Sequence, residues 1–493
     1  MNNLARVQEV ELSTSAESRP GWERAIGWLS WVMVLLFSWK TFKYLSEKSY
    51  FLADDYDHFE LAHRLPLLEQ LLTPIDVHFV PGHRLFSYLL ERFAPLNFDV
   101  ALWVMLGFHL LSVFMFSKVL GRLRSGPWNP LLVVLYGCGS SVLYLLFWWS
   151  AGIHRLPYVL FCLCSIYGYL GYRQHRYSRD LLVCVGGFVL AAAFYSKAVL
   201  LPGYLLALEL CLSWRMGLSG WRRYRLGVAL LLLSVVYLGW YELYAPVLRF
   251  DYVLNARLAL DASLLGLDVF VRDLFLMPWQ QEPKQLLGIW LGAVVMLVTC
   301  WRRPERCVFW LALLAVLLVN LLILGVGNRV QTMGSSVMLA LRYQFEPLFL
   351  LGLFLCLILN RAPAPTPRPR VSRYWAMLAI AFCVAYPVGS FLHARATDRL
   401  MNEGGHEQVA DYMSHLLAQL DGLPSDRVIT FAQGDFPAQV YRVLFGPPKS
   451  FQAILPLRYP NLQFADRDKA QYEIDARGNV LSLSVRPSSD DAR

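Results

Sequence analysis

The chain reads as an all-α polytopic membrane protein carrying a small extracytoplasmic α/β domain at its C-terminus. Three observations predict that class. The 493 residues are 56% hydrophobic and only 16% charged, whereas a soluble globular chain carries about 25% charged residues. Apolar runs recur at lengths near the roughly 20 residues that cross a bilayer. Arginines gather in every second short connection between those runs, the pattern that orients membrane helices.

Taken in order, the expected spans are 25–45, 100–120, 129–149, 156–172, 181–196, 198–214, 226–246, 285–300, 308–325, 344–360 and 374–392, eleven in all. The arginine clusters fall after the second span (Arg122, Arg124), the fourth (Arg173, Arg176, Arg179), the sixth (Arg215, Arg222, Arg223, Arg225), the eighth (Arg302, Arg303, Arg306) and the tenth (Arg361, Arg368, Arg370, Arg373). The alternate short loops hold only Arg155, Lys197, Arg329 and Arg342. The positive-inside rule therefore predicts a cytoplasmic N-terminus and an external C-terminus. The stretch Leu181–Trp214 is apolar except at Ser196-Lys197. Arginine clusters on both flanks require an even number of crossings, so it is read as a hairpin with Lys197 at the outer tip.

The expected organisation is a cytoplasmic tail over 1–24, a membrane domain over 25–392 and an extracytoplasmic domain over 393–493. The tail is too long and too acidic for a signal-peptide n-region, and no small-residue cleavage site follows it. The Pro/Arg run 361–370 is a linker. Large outer segments fall at Ser46–Asp99, Val247–Lys284 and the C-terminal tail. In that tail a helix is expected near Glu403–Leu420, a strand at Val428–Phe431 and a hairpin turn at Arg477-Gly478-Asn479.

The net charge of +9 lies mostly in the short loops, so it argues for membrane orientation and against nucleic acid. All nine cysteines fall in apolar runs or at their Arg-rich ends, which argues against a disulfide framework. Cys162 and Cys164 lack partners at metal-site spacing. No Walker sequence, Gly-rich dinucleotide turn, nucleophile elbow, H-E-x-x-H or C-x-x-C is present. An enzyme with outward chemistry and no nucleotide site needs a membrane-borne activated donor.

The residues that can carry chemistry cluster in the outer loops. Directly after the first span comes FLADDYDHFE, residues 51–60, with Asp54, Asp55, Asp57 and His58. A carboxylate there can act as general base, nucleophile or metal ligand. A solvated loop start beyond the membrane would show the same acids. The same loop continues with Asp76, His78, His83 and Arg84, a set suited to a phosphate oxyanion because arginine presents a planar donor fork. Interfacial loop residues are the plain alternative. Trp148-Trp149 precede His154-Arg155 in a short outer loop, and the tryptophans fit interface anchors better than sugar stacking. Lys197 faces either a partner or the bilayer surface. Arg342-Tyr343, followed by Glu346-Pro347, marks the outer entrance of the tenth span, either as a lipid-phosphate contact or as an anchor.

This pattern resembles the GT-C superfamily of integral-membrane glycosyltransferases, which includes protein O-mannosyltransferases and lipid A aminoarabinose transferases. The likeness rests on a first span followed by an outer loop opening with acids, here Asp54-Asp55 in ADDYDHF. It rests further on the His/Pro/Gly stretch His78–Arg84 before the second span, and on Arg342-Tyr343 at a late outer end. The resemblance implies transfer of a sugar from a polyprenyl-phosphate donor to an extracytoplasmic glycan, lipid or protein, in a bacterial inner membrane. Asp54 would be the base and Asp55 its support. Arg84, Lys197 and Arg342, with Tyr343, would hold the lipid phosphate. His58, His78, His83, His154 and Arg155 would line the sugar site. No cofactor is implied with certainty. Many members add a second acid between spans three and four, often for a divalent metal, and this chain has His154-Arg155 there. An O-antigen-type polymerase or ligase, or a non-enzymatic flippase for lipid-linked sugars, shares the gross topology.

Overall fold

In a computed structural model, the chain is described over residues 21–483, apart from 75–77, 218–219, 245–253, 278–285, 302, 361–372, 403–404, 439 and 441–448. Asp76 and the 361–370 linker lie outside the described residues, as does most of the N-terminal tail. The helices that build the bundle are α1 (Gly21–Lys48), α2 (Asp55–Arg64), α3 (Leu67–Leu72), α4 (Pro81–Phe93), α5 (Phe98–Leu123), α6 (Asn129–Gly137), α7 (Ser140–Leu146), α8 (Trp149–His175), α9 (Ser178–Phe194), α10 (Leu201–Arg215), α11 (Arg225–Tyr244), α12 (Ala256–Leu274), α13 (Leu287–Trp301), α14 (Arg306–Gly325), α15 (Asn328–Met333), α16 (Phe345–Leu359) and α17 (Arg373–Asn402).

Among the described residues, seven segments are long and apolar enough to cross a membrane, fewer than the eleven expected. They are Trp22–Lys48, Phe98–Leu123, Asn129–Leu146, Trp149–His175, Ser196–Arg215, Arg306–Gly325 and Tyr374–Arg399. Three of the four missing spans have a geometric cause. α13 and α16 are each 15 residues long and α9 is 17. At 1.5 Å per residue these reach only about 22–26 Å, short of a hydrocarbon core of roughly 30 Å. Even so, α9 and α16 connect the same two ends as their longer neighbours. At one end Ser46 of α1 donates to Asp99 of α5 at 2.6 Å, and Ser49 donates to the Phe147 carbonyl at 3.2 Å. At the other end Arg122 of α5 approaches Asp180 of α9 at 3.7 Å, and Asn360 just after α16 donates to Asn129 of α6 at 2.8 Å.

Local sequence explains several boundaries. Asn97 caps α5 by accepting from Val100 N at 3.2 Å. Proline occupies the first turn of α4, α6 and α10, where its missing N–H leaves no gap. The expected third span is broken at Cys138-Gly139 into α6 and α7. α8 and α9 approach backbone to backbone. A Cβ on Gly168 would lie 2.5 Å from Cys184 N, and one on Gly187 would lie 2.7 Å from Ser165 N. Small residues are what permit such helix contacts in lipid, where no hydrophobic force drives helices together.

The tail does not begin at a helix end, as the boundary at 393 would have it. α17 runs on past 392 to Asn402, and α18 (Gly405–Asp421) follows. A four-stranded sheet of order β2-β1-β3-β4 comes next, from β1 (Ile429–Ala432), β2 (Leu462–Ala465), β3 (Tyr472–Ile474) and β4 (Val480–Ser482). β1 pairs in parallel with β2 and β3, and β3 with β4 is antiparallel. Gly478 sits in their turn at φ +82°, the conformation a glycine adopts freely.

Candidate active site

The site begins where α1 ends. Ala53 takes φ +47°, a left-handed value that costs about 1–2 kcal/mol for a residue with a Cβ. This turn delivers Asp54 and Asp55 at the start of α2. Asp54 occupies the cap position of α2, yet its side chain makes no capping hydrogen bond. It accepts instead from Trp148 Nε1 at 2.9 Å and from Ser150 Oγ at 3.2 Å. An aspartate at a helix start normally satisfies its own first-turn N–H groups. Here long-range partners override that local preference.

Asp55 is fully buried. Its Oδ1 accepts from Ser150 N at 2.8 Å and its Oδ2 from Leu52 N at 2.9 Å. It thereby ties the loop to the N-terminus of α8, where unpaired N–H groups favour an acceptor. Burial, reinforced by the neighbouring Asp54 carboxylate, pushes Asp55 well above the usual carboxylate range. The two adjacent acids therefore sit in unlike surroundings. Asp54 is half-buried beside an indole, and Asp55 is a sealed anchor.

The four histidines named from the sequence come together. The His58 ring lies 4.5 Å from that of His83, His83 lies 4.9 Å from His154, and His154 lies 5.8 Å from His78. Ser150 links the cluster to Asp54, because His58 Nε2 lies 3.3 Å from Ser150 Oγ. Burial, aided by nearby cations and imidazoles, holds His58 and His83 well below their usual values. Burial with Arg329 and Arg155 brings His78 to about 3. These imidazoles are neutral at pH 7, so they offer one donor and one acceptor each. Both ring nitrogens of His83 lack a hydrogen-bond partner among the described residues. No group of three or more His, Cys, Asp or Glu among those residues has metal-site geometry.

Beyond Trp148 lies a narrow pocket whose cavity volume is only about 10 Å³, room for a water-sized group. Arg155, Tyr195, Lys197, Arg342, Tyr343 and Glu346 contribute its polar lining. Arg342 sits with Cζ 4.5 Å from the Trp148 ring, and Arg155 lies 5.3 Å from both the Tyr195 and Tyr343 rings. Burial raises the Tyr343 phenol, yet the guanidinium groups of Arg342, Arg329 and Arg155 outweigh it and bring the group to about 7. The carboxylate and the cationic pocket are thus separated by a single indole ring, which donates to one and stacks on the other.

Two cations have other work. Lys197 Nζ lies 2.7 Å from Glu346 Oε2 and donates to Asn320 Oδ1 at 2.8 Å. Glu346 also accepts from Tyr158 and from Tyr204, the latter at 2.9 Å. Lys197 is buried at the turn between α9 and α10, so its ammonium completes an internal network at the pocket wall. Arg84 is also buried. It donates to the Thr73 carbonyl at 3.1 Å and the Pro74 carbonyl at 2.8 Å, and reaches His58 Nδ1 at 3.3 Å. Its fork holds the loop ahead of α4 and stands outside the pocket lining.

Sequence reasoning passed over Trp148 as an interface anchor and did not mark Ser150, Tyr195 or Glu346 as part of the site. The available signals were weak: a tryptophan pair opening a helix, and an acid four residues after Arg342. No protein-family model matches the chain, and no curated protein matches it in sequence.

Proposed function

We propose that the chain is a membrane glycosyltransferase of GT-C type, moving a sugar from a polyprenyl-phosphate donor to an acceptor hydroxyl outside the cytoplasm. The observation that supports this best is the pairing of a half-buried carboxylate, Asp54, with a tyrosine- and arginine-lined pocket across the Trp148 ring. A carboxylate that accepts a proton, next to a site that accepts a departing phosphate, is what transfer from a phosphate-linked sugar requires.

In this reading Asp54 takes the proton of the acceptor hydroxyl. The oxygen attacks the anomeric carbon from the face opposite the phosphate. The bond from that carbon to the phosphate oxygen breaks, its electron pair leaves with the lipid phosphate, and the anomeric centre inverts. Arg342 and Arg155 stabilise the charge that grows on the leaving phosphate, with Tyr343 between them. Trp148 supplies a flat apolar floor for the sugar, and the neutral histidines hydrogen-bond its hydroxyls. Asp55, Arg84 and Lys197 hold the geometry and do not touch the reacting atoms. The Asp54 end and the C-terminal sheet face outward, and the N-terminus is cytoplasmic.

The test is release of free polyprenyl phosphate from a panel of polyprenyl-phosphate sugars by the purified protein. The sugar to begin with is the lipid-linked one that accumulates on gene deletion. Asp54→Asn keeps the size and most hydrogen bonding, so donor binding should persist while turnover falls by at least about a hundredfold. Wild-type turnover in Asp54→Asn would sink the assignment. Movement of lipid-linked sugar between leaflets without release of polyprenyl phosphate would support a flippase instead.

A further inference from the structure

At the end of the bundle away from Asp54, a second cavity opens sideways between α1, α5, α6 and α8. It is a groove of about 810 Å³, within the size range of small-molecule sites. Its distance from the active site follows from the helices. The groove uses Glu23–Trp31 at the start of α1, and Asp54 follows the far end of that helix at Lys48. From Trp31 to Lys48 the helix rises about 26 Å.

The lining changes character along its length. Trp28, Trp31, Phe114 and Tyr167 form an apolar trough, and Arg24, Lys118 and Arg122 line it beside one lining carboxylate, Glu23, while Arg122 also faces the buried Asp180 at 3.7 Å behind the wall. Lys118 is exposed with Nζ 5.1 Å over the Phe114 ring. Arg122 is fixed by stacking 3.4 Å over Tyr167 and donating to that residue's carbonyl at 2.8 Å. The trough floor is open at two glycines. A Cβ at Gly27 or at Gly121 would meet no atom within 4 Å. Apolar length ending in a basic rim matches the build of one kind of partner, a lipid whose headgroup is negative.

We propose that this groove holds a bilayer phospholipid with an anionic headgroup. One acyl chain lies along Gly27 and Gly121, and the headgroup phosphate sits among Arg24, Lys118 and Arg122. In the orientation proposed above this is the cytoplasmic leaflet, where anionic headgroups attract basic residues. The site is independent of the glycosyltransferase reading, because it shares no lining residue with the Asp54 pocket.

Native mass spectrometry of the full chain, released from nanodiscs of mixed phosphatidylglycerol and phosphatidylcholine, tests it. The wild type should retain one phosphatidylglycerol in preference to phosphatidylcholine. Lys118→Glu should reduce that preference roughly tenfold, since each basic residue near a membrane surface contributes to anionic lipid attraction. The double variant Gly27→Leu, Gly121→Leu should fill the trough and abolish retention. Lys118→Gln, a mild change at an exposed position, guards against loss of folding and should show an intermediate preference. Three results would overturn the proposal: equal retention of both lipids, unchanged retention in the leucine variant, or displacement of the phospholipid by added polyprenyl phosphate. The last would make the groove a substrate-lipid site.

Discussion

Tyr343 and Lys197 line the same pocket and behave in opposite ways. Tyr343 is a titrating group among guanidiniums. As pH rises through about 7 its phenol loses a proton, and the resulting phenolate faces Arg342. The pocket then loses one unit of net positive charge. Affinity for polyprenyl phosphate should therefore fall across that window in the wild type relative to Tyr343→Phe, by about tenfold, the worth of one charge-assisted contact. Ionisation of the phosphate itself affects both proteins equally, so the ratio of their affinities isolates the tyrosine. A ratio flat from acid to alkaline pH would contradict the coupling. Lys197, by contrast, is half of a buried ion pair with Glu346. Removing one member of such a pair leaves an uncompensated charge and costs about 3–5 kcal/mol. Lys197→Ala and Glu346→Gln should each lower the thermal midpoint markedly. The double variant Lys197→Met, Glu346→Leu should recover much of the loss. Donor affinity lost in Lys197→Ala without any loss of stability would instead return the ammonium to the phosphate.

Among the elements, α2 carries the acids on one side and the C-terminal domain on the other. Lys449 lies 2.7 Å from Asp57 and also pairs with Glu60, and the Phe436 ring stacks 5.8 Å from Tyr56. The helix holding Asp55 is thus clamped between α8 and the sheet-bearing tail. Burial pushes Glu60 up, but Lys449 and Arg64 outweigh it and leave the group below its usual value. Because the folded value is depressed, the clamp contributes fully above the unfolded glutamate value of about 4.3. It is lost as pH falls through the folded value. Burial lowers Lys449, and its two carboxylate partners outweigh that and raise it, so the clamp also persists to alkaline pH. The groups are part-exposed, so Lys449→Ala should change stability by no more than about 1 kcal/mol. Lys449→Glu sets like charges against Asp57 and Glu60, and amide exchange over residues 55–64 should quicken. Unaltered exchange in that variant would show that α8 alone holds α2.

For the molecule as a whole, length and geometry give different accounts of how many helices cross. Strict length admits seven segments among the described residues. Yet α9 and α16 span from the Asp54 end to the end marked by Asp180 and Asn360. Reporter fusions separate the two. If the short helices cross, a fusion after Arg225 reads cytoplasmic, whereas one after Arg493 reads external in either case. A seven-crossing chain would place Arg225 outside. It would also put Arg342 on the opposite side from Trp148, which the 4.5 Å contact between them forbids.

The residues that were legible in advance are those whose signal is local. Apolar length marked the helices. The helix, first strand and turn of the tail followed from periodicity and from Gly478, and Asp54-Asp55 stood out because acids abut a span. Arginine periodicity predicts which ends face the cytoplasm, a reading left to the reporter fusions. The partners were not legible. Trp148 meets Asp54 across 94 positions, Lys197 meets Asn320 across 123, and Tyr158 meets Glu346 across 188. Nothing in composition or period records such pairings, because each depends on how two helices are rotated about their axes and how far one slides along the other. Packing set that rotation, and with it sent one aspartate to an indole and its neighbour to a helix N-terminus.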